Sequence, residues 1–136
     1  MQFSKSYSIF AGLAFAAAVS GLSLSVIAED EKPVDKKKPA DIHDVMEWSH
    51  KGKDSIVSRV RDGKGTAEEI DLLVIYYDFM AKAKPPEGDM ESWKAKTGAL
   101  VKAIGKVQKK EANAVAEYKE AVNCKACHSV HKPKDE

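Results

Sequence analysis

Residues 66–84 of the chain read TAEEIDLLVIYYDFMAKAK. Thr66 and Glu69, three residues later, have the pattern of a capping box, in which each side chain binds a backbone N–H at the start of a helix. The run 70–80 is apolar except for two aspartates. Its β-branched and aromatic residues also suit a buried strand. The cap and the AKAK tail favour a helix, which the prolines at 85–86 end.

Three further segments have apolar residues at helical spacing. They run over about residues 41–62, from near Asp89 onward, and over about residues 111–131. Gly52 weakens the middle of the first of these helices. Four amphipathic helices with short connections predict an all-α fold, an antiparallel four-helix bundle.

The composition limits the class of protein. The chain has 136 residues, two cysteines and a formal net charge of +1. This length suits one small domain. The charge lacks the basic excess expected of a nucleic-acid-binding protein, so no nucleic-acid partner is expected. Two cysteines are too few for a disulfide framework.

Residues 1–28 have the pattern of a secretory signal peptide, with Lys5 before an uncharged run and small residues at a cleavage site after Ala28. An uncleaved anchor is the alternative, because about 20 apolar residues span a bilayer. Membrane association is expected only in that case. Cleavage leaves about 108 residues with 21 basic and 21 acidic side chains, a neutral chain exported to the periplasm.

The exported chain is expected to begin with a leader that does not fold. Residues 29–39 read EDEKPVDKKKP, which is charged and holds one sizeable apolar residue. Such a segment cannot bury enough apolar surface to fold, so we expect a disordered leader before a helical domain over residues 40–136.

The sequence Cys124-Lys125-Ala126-Cys127-His128 is a CxxCH motif, which is typical of covalent attachment of a c-type haem. On a helix the two cysteines lie one turn apart on one face, so both thiols can bond the vinyl groups of one porphyrin. His128 follows at once and can bind the iron. Haem attachment requires export, in agreement with the signal segment.

Other interpretations of the two cysteines are weaker. A zinc site could use Cys124, Cys127, His128 and His131, but structural zinc sites usually join two separated ligand pairs. A thioredoxin-like CxxC would follow a strand near a βαβ pattern, whereas this motif lies in the last helix. Two cysteines without a function are the remaining alternative.

A CxxCH motif in the last helix of a short, exported four-helix chain resembles the class II cytochromes c, which include the cytochromes c prime and their low-spin relatives. That class continues the motif with two residues, an aromatic residue and a basic one. His131 and Lys132 stand in those two places. The resemblance implies one haem c, with His128 as the fifth iron ligand and the first helix across the other haem face.

The same resemblance directs attention to Met46 in the first helix. Low-spin members have a methionine ligand near this point, and Ile42 stands where the family often has an arginine. His43 and His50 are further candidates for the sixth ligand, because both lie on the same side of the helix as Met46. An iron without a protein sixth ligand is the last alternative.

The function expected from these features is single-electron transfer between redox partner proteins in the periplasm. Ligation by His and Met saturates the iron and suits electron transfer. The alternative is a five-coordinate, cytochrome c prime-like protein that binds NO or another small gas. We expect no enzyme activity, because the sequence offers no acid–base or nucleophile–base pattern. The helix over 66–84 is apolar around most of its circumference, so a homodimer is possible.

Overall fold

The computed structural model of the protein describes residues 37–134. The expected signal segment, the first eight residues of the expected leader and residues 135–136 lie outside the described residues. Over residues 37–134 the chain is helical and contains no strand, which confirms the all-α class. No helix in this part combines the length and the apolar character needed to cross a membrane.

The described part contains six α-helices and one π-helical turn. Their bounds are α1 Ile42–Val45, the π-helical turn Met46–His50, α2 Ile56–Arg61, α3 Ala67–Lys82, α4 Met90–Gln108, α5 Ala114–Ala121 and α6 Cys124–His131.

The first predicted helix, residues 41–62, is interrupted. Asp41 caps α1 as expected, but the helix widens into the π-helical turn and ends at His50. Gly52 then takes a left-handed φ of +96°, a conformation that glycine adopts without steric cost. Ser55 restarts the chain as the N-cap of α2, because its side chain accepts a hydrogen bond from the Ser58 N–H.

The two central helices confirm the sequence predictions. Thr66 and Glu69 form the reciprocal capping box at the start of α3. Asp89 caps α4, with its Oδ1 2.7 Å from the backbone nitrogen of Ser92. Both starts depend on residues within one turn of each other, which explains why local sequence predicts them.

The last predicted helix, residues 111–131, is two helices. Asn113 has a left-handed φ of 61°, which delays the start of α5 to Ala114. Val122 and Asn123 then leave the helical conformation. The Asn123 side chain accepts a hydrogen bond from the Ala126 N–H at 2.9 Å, so it caps α6 as a separate helix.

The four longer elements before α6 pack in cyclic order. Helix α2 contacts α3 and α5, while α4 contacts α3 and α5. Apolar side chains from these helices and from α1 fill the centre. The largest fully buried ones are Trp93, Tyr76, Tyr77, Tyr118, Leu73, Met80, Ile104, Val45 and Val60.

The packed region begins slightly before residue 40. Pro39 is buried, and the backbone carbonyl of Lys37 accepts a hydrogen bond from the Tyr76 hydroxyl at 3.1 Å. The Lys37 ammonium lies 5.8 Å from the centre of the Trp48 ring. Residues 37–39, which the sequence assigns to the leader, therefore contact the helical domain.

Candidate functional site

The CxxCH motif occupies the first five residues of α6. Cys124 begins the helix directly after the Asn123 cap and is exposed, Cys127 is half-buried, and His128 is exposed. Both cysteines are free thiols. Burial raises the pKa of the Cys127 thiol, and the charge of Lys96 acts against that rise.

Two cavities adjoin this helix. The first cavity, of about 430 Å³, is lined by Cys124, Cys127 and His128 together with Met46 and His50. Its other lining residues come from α3, α4, α5, the Val122–Asn123 break and Ala126 of α6. Ligand and cofactor sites have volumes of about 300–1,000 Å³, so this cavity is large enough for one.

The second cavity, of about 460 Å³, shares part of its lining with the first. It is lined by His43, His131 and Trp93, among others. Met46, Met80, Cys127 and His128 line both cavities. These four side chains form the common wall of the two cavities, so a ligand in either cavity would contact them.

The structure brings most of the candidate ligands of the sequence analysis together. Met46 is half-buried and borders both cavities. His50 is also half-buried and borders the first cavity with Cys124 and His128. His43 is exposed and borders only the second cavity among the two.

The environment of His50 is polar on one side of the ring. Its Nδ1 lies 2.9 Å from the Ser49 hydroxyl and 3.5 Å from the Val45 carbonyl oxygen. The ring centre lies 5.8 Å from that of Tyr77. Burial lowers the pKa of His50 from 6.5 to about 4, with a smaller lowering by His128, so the ring is neutral near pH 7.

The side chain of His131 connects the end of α6 to the start of α4 and to the turn before it. It is 2% exposed, and its Nδ1 lies 2.8 Å from the Glu87 carbonyl oxygen. Its Nε2 lies 3.1 Å from the Ser92 hydroxyl, and its ring meets Trp93 edge-on at 5.2 Å between ring centres. Because both ring nitrogens have partners, His131 is not available to a zinc ion bound by the two cysteines and His128.

Gly88 is needed for this anchor. Its φ is +78°, and a Cβ atom there would lie 2.9 Å from Nδ1 of His131. The turn between α3 and α4 can therefore approach the end of α6 only with a glycine at this position.

Within residues 37–134, one group of three side chains lies close enough together to hold a metal ion: Asp41, His43 and Asp44. Asp41 and Asp44 already accept hydrogen bonds from backbone N–H groups at the start of α1. The cysteines and histidines of the α6 motif are not such a group, which further weakens the zinc interpretation.

A pair of buried phenols lies next to the site. The hydroxyl oxygens of Tyr77 and Tyr118 are 2.7 Å apart. Burial raises the pKa of both phenols, so both stay protonated at neutral pH. Tyr77 also contacts His50, so the pair forms part of the support behind the first cavity.

Sequence reasoning missed Met80 as a site residue. It is 1% exposed, borders both cavities, and its carbonyl oxygen accepts a hydrogen bond from the Trp93 indole at 2.9 Å. In the sequence Met80 is the last residue of an apolar run and reads as core. Only the packing of α3 against α4 shows that it has a cavity-facing position.

Comparison with protein-family models, with curated proteins and with solved structures finds no match to this chain.

Proposed function

We propose that the protein is an exported c-type cytochrome, similar to the class II cytochromes c, that carries single electrons between redox partner proteins in the periplasm. The observation that carries this proposal is the shared wall of the two cavities. Cys127 and His128 of the attachment motif line the same two cavities as Met46.

The donor set fits one covalently attached haem c. Cys124 and Cys127 are free thiols one helical turn apart, which suits two thioether bonds to one porphyrin. His128 is the fifth iron ligand in this proposal. When bound, the haem supplies a one-electron Fe(III)/Fe(II) couple.

Met46 is the proposed sixth ligand. Its thioether is soft and uncharged, and ligation by His and Met gives a higher reduction potential than ligation by two histidines. The side chain is half-buried on the first helical segment and lines both cavities that adjoin α6.

The helical packing supports the four-helix-bundle part of the proposal. Helices α2 to α5 contact one another in cyclic order, as the members of a bundle do. The exposed Ile75 on α3 is an apolar side chain that a second copy of the chain would cover in a homodimer. Export follows in this proposal from the signal segment over residues 1–28.

Visible absorption spectra of the oxidised and reduced holoprotein test the proposal. We expect low-spin spectra in both states, with a Met-to-iron charge-transfer band in the oxidised protein. A high-spin ferric spectrum that changes on addition of NO or CO would instead establish a gas-binding protein and refute the electron carrier.

Two matched substitutions identify the methionine. Met46→Leu should remove the charge-transfer band, whereas Met80→Leu should retain it. Both changes nearly conserve volume and cost less than about 1.5 kcal/mol of stability. If the band survives in Met46→Leu and disappears in Met80→Leu, the ligand is Met80.

Haem attachment is tested separately. The double variant Cys124→Ala/Cys127→Ala should lose covalent haem, which is measured by haem staining after denaturing electrophoresis. Haem that remains covalently bound to this variant would contradict the assignment of the motif.

A further inference from the structure

His50 is fixed in one tautomer by its neighbours. The Ser49 hydroxyl donates its hydrogen to the Val45 carbonyl oxygen at 2.6 Å. That hydroxyl has a single hydrogen, so toward Nδ1 of His50, 2.9 Å away, it can only accept. Nδ1 therefore carries the N–H. The Val45 carbonyl oxygen, 3.5 Å from the same nitrogen, favours the same arrangement.

The consequence is an unprotonated Nε2 in the neutral ring. Tyr77 packs against the ring and helps to fix its orientation. The residue borders the first cavity together with Cys124 and His128. An imidazole whose one N–H is held by the protein and whose other nitrogen keeps its lone pair is the form that binds metal ions in proteins.

We propose that His50 is a second axial ligand of this site, whose Nε2 binds the iron when the Met46 thioether does not. The proposal rests on the proposed function, because it requires a haem iron held by His128. Met46 and His50 are the first and last residues of the π-helical turn, and both line the first cavity. Such turns are frequent at functional sites.

The exchange is balanced without a redox step. The iron–sulfur bond to Met46 breaks and an iron–nitrogen bond to His50 forms. Because Nε2 already has its lone pair, no proton is released and no electron is transferred. With His128 and His50 as its ligands, a bound haem would still support one-electron transfer, at a lower potential than with His128 and Met46.

The test uses the full-length holoprotein and three variants. Met46→Leu should stay low-spin in the ferric state, with the electron paramagnetic resonance signature of two imidazole ligands and a lower reduction potential. Met46→Leu/His50→Gln should become high-spin. Met46→Leu/His43→Gln, which removes the other histidine of the first helical segment, should remain low-spin.

Several results would overturn the proposal. A high-spin Met46→Leu variant shows that His50 does not bind the iron, although the Met46 assignment then stands. If Met46→Leu/His50→Gln stays low-spin, another residue is the ligand. Loss of the low-spin form in the His43 double variant assigns the role to His43. A high-spin wild-type protein would instead refute the proposed function itself.

The tautomer of His50 can be measured independently of any exchange of ligands. Nitrogen-15 NMR of the ferrous, diamagnetic wild-type holoprotein should show the proton of His50 on Nδ1. Ser49→Ala removes the hydroxyl that accepts from this nitrogen and should shift the population toward the other tautomer. A wild-type ring protonated on Nε2 would overturn the proposal.

Discussion

The anchor of α6 offers the sharpest test of how the candidate site is held. His131→Ala removes two hydrogen bonds, to the Glu87 carbonyl and to the Ser92 hydroxyl, and an edge-on contact with Trp93. The residue is buried, so its loss also leaves a cavity.

The magnitude follows from these contacts. Each hydrogen bond contributes about 0.5–1.5 kcal/mol and the aromatic pair contributes a similar amount, which together give a loss of about 2–4 kcal/mol. For a domain of this size, 1 kcal/mol lowers Tm by about 4–8 °C. We therefore expect His131→Ala to lower Tm by about 8 °C or more.

The assay is denaturant unfolding of the full-length protein, followed by far-ultraviolet circular dichroism. Val130→Ala is the matched control, because Val130 is the preceding residue of α6 and is 42% exposed. The control should change the free energy of unfolding by no more than about 0.5 kcal/mol. His131→Gln, which keeps one donor and one acceptor, should fall between the two.

A second measurement connects the anchor with the site. Under the proposed function, if His131 positions α6, His131→Ala should also reduce the yield of covalently bound haem, and Val130→Ala should not. Equal free energies of unfolding for His131→Ala and Val130→Ala would refute the reasoning, because the buried contacts would then contribute nothing.

Three further predictions concern the buried polar groups of the core. Tyr77→Phe leaves the Tyr118 hydroxyl without its partner and should cost about 1–3 kcal/mol in urea unfolding, whereas the double Phe variant should lie near wild type. Burial raises the pKa of both phenols, so their contribution to folding stability is complete below pH about 10 and is lost as the pH rises further. The double Phe variant should therefore lose less stability than wild type when the pH is raised into the alkaline range. Glu69→Gln weakens the ion pair between buried Glu69 and half-buried Arg59 and should cost about 1.5–3 kcal/mol in thermal unfolding, while the exposed Glu68→Gln should be near neutral.

Local sequence predicted the helices that local interactions begin. The capping box of α3 joins residues three apart, and Asp89 caps α4 over the same distance. The end of α3 is equally local, since its C-cap Ala83 is followed closely by Pro85 and Pro86. These elements needed no information about distant parts of the chain.

The interruptions of the outer helices could be foreseen only in part. Gly52 was recognised as a weak point, but its left-handed φ depends on where the chain must turn toward α2. Asn123 is acceptable inside a helix and also favourable as a cap. The choice between the two depends on how α6 packs, which the local sequence does not contain.

The candidate site shows the same division. The CxxCH motif could be selected because its chemistry is visible in one short stretch, whereas Met46 was selected through the family resemblance, with His43 and His50 as alternatives. The burial of His131 and the cavity-facing position of Met80 arise from contacts between segments far apart in sequence, such as the 44 residues between His131 and Glu87. Hydrophobic periodicity predicts which face of a helix is buried, but it does not predict which other helix packs against that face.

Two of the places where the helices depart from regular geometry coincide with the site. The π-helical turn contributes Met46 and His50 to the first cavity, and the break between α5 and α6 contributes Val122 and Asn123. If the α-helix continued through residue 123, the direction of the CxxCH motif would be fixed by that of α5, because each residue of an α-helix advances by about 100°. The break lets α5 bury Tyr118 while α6 independently presents its motif to the cavities. Local rules fail most often where function overrides them, so these departures are themselves an argument that the cavity is the functional site.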